Sequence, residues 1–216
     1  MPSKILSLGS ECLVKHNIIR YIGKEETYLF DWVITTFDTV LFILKNIDDN
    51  TLFSRDKFQI HQDKNYCGDK NCQTVGICEP FHFISVHDFP KNIHYMDSMD
   101  DNIEKFKRRQ QRLKDTIISS NVIHFIHFMI EFHNLTSIQI SKFKQYLYEI
   151  CPSNKYYLHI AISPNCNYIN KDVLSQENVF LYDFYEVTPN LDWKCEGYNW
   201  CDIFDNIKRI DSSNEN

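Results

Sequence analysis

Residues 4–23 read KILSLGSECLVKHNIIRYIG, and the reading of this stretch decides the fold class. Residues 4–8 are a short apolar run with the character of a buried strand. Gly9 permits a sharp turn. After it Leu13, Val14, Ile18, Ile19 and Ile22 recur at helical spacing, with Ser10 as the expected cap and Gly23 as the stop. A strand that passes through a tight glycine turn into a helix is the first half of a crossover unit.

The alternation continues outward. Residues 81–86 (FHFISV), 122–128 (VIHFIHF), 156–162 (YYLHIAI) and 179–184 (VFLYDF) read as strands. Between them, residues 100–118 and 137–150 read as helices, and Phe37, Val40, Leu41, Leu44 and Ile47 give a third, capped by Thr35 or Thr36. Strands separated by helices predict an α/β fold. The expectation is a mostly parallel, Rossmann-like central sheet of about five strands with helices on both faces, and an irregular excursion at about 50–80. Residues 1–210 are expected to form a single α/β domain, and residues 211–216 a disordered C-terminal tail.

Composition excludes several classes. A net charge of −6 over 216 residues argues against a general nucleic-acid binder. No run is long enough to span a membrane, and the apolar start is too short for a signal-peptide core. The expected location is therefore the cytoplasm, where the eight cysteines stay free thiols. Alanine occurs only at Ala161 while Ile, Asn and Lys abound, as in an A/T-rich coding genome. That bias suits an A/T-rich organism or a large DNA virus, whose protein would act in the host cytoplasm.

The β-to-α turn at Gly9 is also the best candidate site, because open α/β sheets bind ligands beyond the carboxyl ends of their strands. Cys12 falls in the first helical turn, where free amides and the positive pole favour a thiolate. The alternative is a small buried side chain, common for free cysteine. A cysteine nucleophile needs a base held by a third group. His87 closes a predicted strand and is the candidate base, with Asp31 or Asp88 to orient it. Amides at Gly9–Cys12 would receive an oxyanion, and iodoacetamide would label Cys12 faster than the other cysteines.

The segments SLGSECLVKHNIIRYIG, YLFDWVITTFDTV, FISVHDF, KFKRRQQRL and VIHFIHF, in this order, resemble the papain-like cysteine peptidase family from Lys4 to Phe128. The resemblance implies a Cys–His hydrolase with Cys12 as nucleophile, His87 as base, and Asp31 or Asp88 as third member. Leu29 stands where the family has a proline, and His16 where it has a small residue. A papain fold would set the cysteine on a helix against a separate antiparallel β domain, whereas the periodicity predicts the Rossmann-like sheet.

Other groups carry weaker chemistry. Cys67, Cys72 and Cys78, with His61 and His82, offer thiolate and imidazole ligands, but the C-x4-C and C-x5-C spacings miss the zinc pattern, so no metal or other cofactor is expected. His124 and His127 fall on opposite faces of a strand. Glu131 and His133 are reserve acid/base groups. Trp32, Trp193 and Trp200 are core anchors or pocket walls. Lys105, Lys107, Arg108, Arg109 and Arg112 load one helix. The leading expectation is a cysteine-dependent peptidase or acyl-transfer enzyme acting on a peptide or small molecule. The alternative is a non-catalytic module binding a nucleotide or sugar phosphate at Gly9 and Ser10 with help from Arg108 or Arg109. A Ser10 hydrolase is a third reading that lacks a G-D-S word.

Overall fold

A computed structural model describes residues 3–23, 26–60, 72–77, 81–129, 135–164, 166, 171–173, 175–186 and 194–214. In chain order the elements are β1 (Lys4–Ser7), α1 (Cys12–Ile22), β2 (Val33–Thr35), α2 (Phe37–Lys45), β3 (Gln59–Ile60), β4 (Cys72–Ile77) and β5 (Phe83–Pro90). They continue with α3 (Met99–Ser119), β6 (Val122–Met129), α4 (Ser137–Ile150), β7 (Lys155–Ile162), β8 (Val179–Asp183) and α5 (Cys201–Asn214).

Among the described residues two sheets result, not one. Strands β1-β6-β7-β8 form a parallel sheet of four, and β2-β5-β4-β3 an antiparallel sheet of four. The five-stranded Rossmann-like expectation is corrected on this point. The strand at 81–86 does not join the parallel sheet, because the three-residue β2 takes it up antiparallel, with Val33 opposite Ser85 and Thr35 opposite Phe83. The excursion at 50–80 supplies β3 and β4 to the same sheet. Residues 211–214, expected in a disordered tail, form the last turn of α5. There Asp211 accepts a bond from Ser3 Oγ at 2.5 Å.

Packing follows from strand alternation. On one face of the parallel sheet Ile5, Ile126, Phe128 and Ala161 meet Leu13, Val14 and Ile18 of α1 and Ile203, Phe204 and Ile207 of α5. The other face carries Leu6, Phe125 and Ile160 into a larger core with α2, α3, α4 and the inner residues Phe83 and Phe89 of β5. Local signals set the helix starts: Thr36 accepts from Thr39 N, and Thr136 with Gln139 forms a capping box. Among the described residues no helix is long and apolar enough to cross a membrane.

Candidate active site

The chain leaves the parallel sheet at Gly9, since Leu8 N still donates to Ile126 O at 2.9 Å. Gly9 and Ser10 both take the left-handed region, with φ of 77° and 74°. The Gly9 amide donates to Ser7 Oγ at 3.0 Å and the Ser10 amide to Thr35 Oγ1 at 3.2 Å. Both amides, expected among those near Gly9–Cys12 to receive an oxyanion, are occupied by side-chain hydroxyls in this conformation. A Cβ on Gly9 would run into Thr35 Oγ1, on a backbone that already strains L residues. Gly9→Ala is expected to cost at least about 1–3 kcal/mol, read as a lower urea midpoint. A midpoint equal to wild type would contradict this.

Ser10 is not the cap. Glu11 holds that position in extended backbone without a side-chain cap bond, while the buried Ser10 hydroxyl turns inward to His127, 3.2 Å from Nδ1 and 3.4 Å from Nε2. Among the described residues the N-cap side chain therefore offers the first-turn amides of α1 no bond, and such amides have no intrahelical acceptor.

Cys12 opens α1 and is 7% exposed, packed with Ile84 and Val86 of β5, with Trp32 and Ile34 against the same cluster. Burial, followed by the negative charge of Glu11, pushes its thiol up to about 12, with Asp88 adding and its own backbone amide opposing. This works against the helix-activated thiolate that the sequence led us to expect. Desolvation outweighs the amides and favours the neutral thiol.

His87 reaches this corner through a bulge. Ser85 and Phe89 of β5 stand opposite Val75 and Gln73 of β4, leaving Val86, His87 and Asp88 against Thr74 alone. The Ser85 hydroxyl closes the bulge, donating to Asp88 Oδ2 at 2.6 Å and accepting the Asp88 amide at 3.2 Å. His87 is thereby turned outward and exposed, and its ring stands at right angles to that of Trp32 with centroids 6.0 Å apart.

Neither aspartate orients His87 in this conformation. Asp88 is bonded to Lys105 Nζ at 3.0 Å and lies 3.6 Å from Arg109. Burial works against its charge, but Arg109, the Ser85 hydroxyl and Lys105 together hold its carboxyl below the ordinary value. Asp31 is fully buried, 2.9 Å from Lys15 Nζ, and accepts the Tyr28 amide at 2.8 Å. Burial raises its carboxyl despite these partners. Arg109 is held by Asp88 and by the Phe106 face at 6.0 Å, and Arg108 lines a separate surface cavity with Glu26 and Arg112. Of the two arginines, either of which was expected to help bind an anion at Gly9 and Ser10, Arg109 faces Asp88 and Arg108 lines that separate cavity.

Lys15 is the buried charge beside this corner that sequence reading missed. It is 2% exposed, and besides Asp31 its ammonium donates to Glu26 O at 2.8 Å. Its one legible signal is its position, three residues after Cys12 and three before Ile18 inside the apolar stripe. Trp32, beside the ion pair, has φ of 65°, a region costing a bulky residue about 1–2 kcal/mol. Of the four non-glycine residues so strained among the described residues, Ser10 and Trp32 flank Cys12 in the fold.

Cys67, Cys78, His61, Glu131, His133 and Trp193 lie outside the described residues. Cys72 Sγ donates to His87 O at 3.2 Å. Among the described residues no three His, Cys, Asp or Glu are grouped to hold a metal ion. His124 and His127 do face opposite sides, His124 toward His159 and Asp211, His127 toward Ser10 and Phe37.

No curated protein and no solved structure matches this sequence. A family profile matches residues 3–157, which spans β1 to the start of β7 and includes Cys12, Asp31, His87 and Asp88. By that match, over well more than half of its length, the chain belongs to the family described as "Putative papain-like cysteine peptidase".

Proposed function

We propose that this protein is a cysteine-dependent hydrolase or acyl-transfer enzyme with Cys12 as nucleophile and His87 as base. One observation carries the reading. Val86 packs on Cys12 and the Asp88 charge acts on its sulfur, so the two residues that flank His87 in the bulge both bear on the thiol. A helix-borne thiol facing an antiparallel sheet that carries the histidine is also what the papain-like resemblance implies.

In the proposed reaction the Cys12 proton passes to His87 while Sγ bonds to the carbonyl carbon of a peptide or small acyl substrate. The oxyanion is received by first-turn amides of α1. Collapse breaks the bond to the leaving group, which takes the proton from His87. Water, or another acyl acceptor, then attacks the thioester with His87 as base and frees the thiol.

The test uses p-nitrophenyl acetate as a minimal acyl donor. The wild type is expected to release p-nitrophenolate as Cys12 gains an acetyl group, located by mass spectrometry of the peptides. Cys12→Ala abolishes that modification, and His87→Ala slows it about 100-fold or more. Acetylation spread evenly over the thiols, or unchanged in His87→Ala, rejects the assignment.

A further inference from the structure

We propose that Trp32 is the gate of this site: its indole covers the Cys12 thiol and holds His87 off, and its outward swing brings nucleophile and base together. The inference rests on reading Cys12 as the nucleophile, and it concerns how that site is regulated.

Four observations converge on this residue. The buried Lys15–Asp31 pair fixes residue 31 against α1 one turn beyond Cys12, which sets the next side chain beside the thiol. Trp32 packs on the cluster of Cys12, Ile84 and Val86. The same ring stands at right angles to that of His87, with centroids 6.0 Å apart. One aromatic ring thus borders both the cluster that holds the thiol and the imidazole of the proposed base, and it is partly exposed, so it has a path to solvent.

The backbone gives the gate its second state. Trp32 sits at φ 65°, where a bulky residue stays only when its surroundings hold it. Those surroundings are firm: Asp31 is locked in its ion pair, and Val33 is fully buried and paired with Ser85 in the antiparallel sheet. The strain is confined to the one residue between these anchors. Losing its contacts with the cluster releases Trp32 toward ordinary dihedrals without unfolding either neighbour. Strained backbone beside a nucleophile is a recurring switch arrangement.

The test is alkylation of Cys12 by iodoacetamide at pH 8, followed by peptide mass spectrometry over a range of sub-denaturing urea. In the wild type, labelling of Cys12 is expected to be at least tenfold slower than that of the exposed Cys201. Its rate should be nearly flat in low urea, because a side-chain swing exposes little surface. Trp32→Gly, which tolerates the left-handed backbone and removes the ring, should speed labelling at least tenfold with the flat urea profile retained. Trp32→Phe keeps a ring and should stay within threefold of wild type.

Two outcomes overturn the gate: Trp32→Gly labels no faster than wild type, or its rate climbs with urea in step with global unfolding. Either leaves the hydrolase reading to the acetylation test. If Trp32→Gly accelerates labelling but His87→Ala in that background leaves the pH profile of labelling unchanged, the gate holds and the dyad fails.

Discussion

Replacing Lys15 with methionine is expected to cost the protein about 3–5 kcal/mol, the usual range for removing one partner of a buried ion pair. Methionine fills much the same volume but leaves Asp31, fully buried, without its ammonium. Asp31 already has one oxygen, Oδ1, with no hydrogen-bond partner among the described residues. The Tyr28 amide would then be the main support left for the carboxylate. The sign of the pH dependence follows. Burial places the folded Asp31 carboxyl above its ordinary 3.8, and loss of Lys15 raises it further. A raised carboxyl keeps its proton longer in the folded chain, so the deficit against wild type is smallest below about pH 4 and grows as pH rises.

Urea unfolding of Lys15→Met, Asp31→Leu and the double variant closes the cycle. The double variant should be more stable than the sum of the single losses predicts, because paired replacement leaves no orphan charge. Additive losses, or a single-variant loss under about 1 kcal/mol, would mean the pair behaves like a surface contact. The pair also ties stability to the site. Asp31 anchors the turn that bears Trp32, so Lys15→Met should loosen the cover over Cys12 as well as the fold.

The sequence carried the helices and the parallel strands well, for local reasons. Residues 137–150 have both helical spacing and a capping box, and α4 spans Ser137–Ile150. The run 122–128 alternates under apolar flanks, and β6 covers Val122–Met129. Pairing was not legible. FHFISV reads the same whether its neighbours are parallel or antiparallel, and its partner β2 has only three residues, too few to show a period. The antiparallel sheet, and with it the corner where Cys12 lies, therefore entered only with the tertiary fold.

The same limit explains the site. That Cys12 begins a helix could be read from Gly9 and the apolar stripe, and α1 begins there. Its burial could not, because the residues packed with it, Ile84 and Val86, belong to β5, whose antiparallel pairing is set only by the tertiary fold. The charge on Cys12 depends on that cover. A helix N-terminus alone favours the thiolate, and the same terminus under a hydrophobic cap does not. Site chemistry in this chain is thus set by sheet topology rather than by the motif that carries the sulfur.

The second large effect is acid destabilisation centred on α5, which packs beside α1 on the parallel sheet. His124 and His159, both fully buried, stand ring to ring with Nδ1 and Nε2 2.9 Å apart. Donor chemistry directs the whole chain. Asn206 Nδ2 donates to the Tyr182 hydroxyl at 2.6 Å, which leaves that hydroxyl to donate to His159 Nδ1 at 2.8 Å. His159 Nε2 then donates to His124 Nδ1, and His124 Nε2 to Asp211 at 3.1 Å. Both imidazoles are neutral in this arrangement, and one extra proton sets two donors face to face. Tyr157 and Phe180 stack over the pair, and Arg209 on α5 adds positive charge near Tyr182.

Burial, and then the neighbouring His124, lowers His159 from 6.5 to about 3, and burial lowers His124 despite Asp211. An imidazole depressed in the folded state binds its proton first when unfolded. Its contribution is therefore whole above about pH 6.5 and is lost as pH falls from there toward 3. At 1.36 kcal/mol per unit, His159 alone removes about 3 kcal/mol by pH 4. His159→Gln cannot titrate, so its stability should fall less steeply between pH 6.5 and 4, by about 1.4 kcal/mol per pH unit relative to wild type. Parallel slopes would show that the pair takes its proton as readily folded as unfolded. Because Asp211 and Asn206 both lie on α5, proteolysis at Lys208 and Arg209 should accelerate over the same pH range, ahead of cleavage within α3.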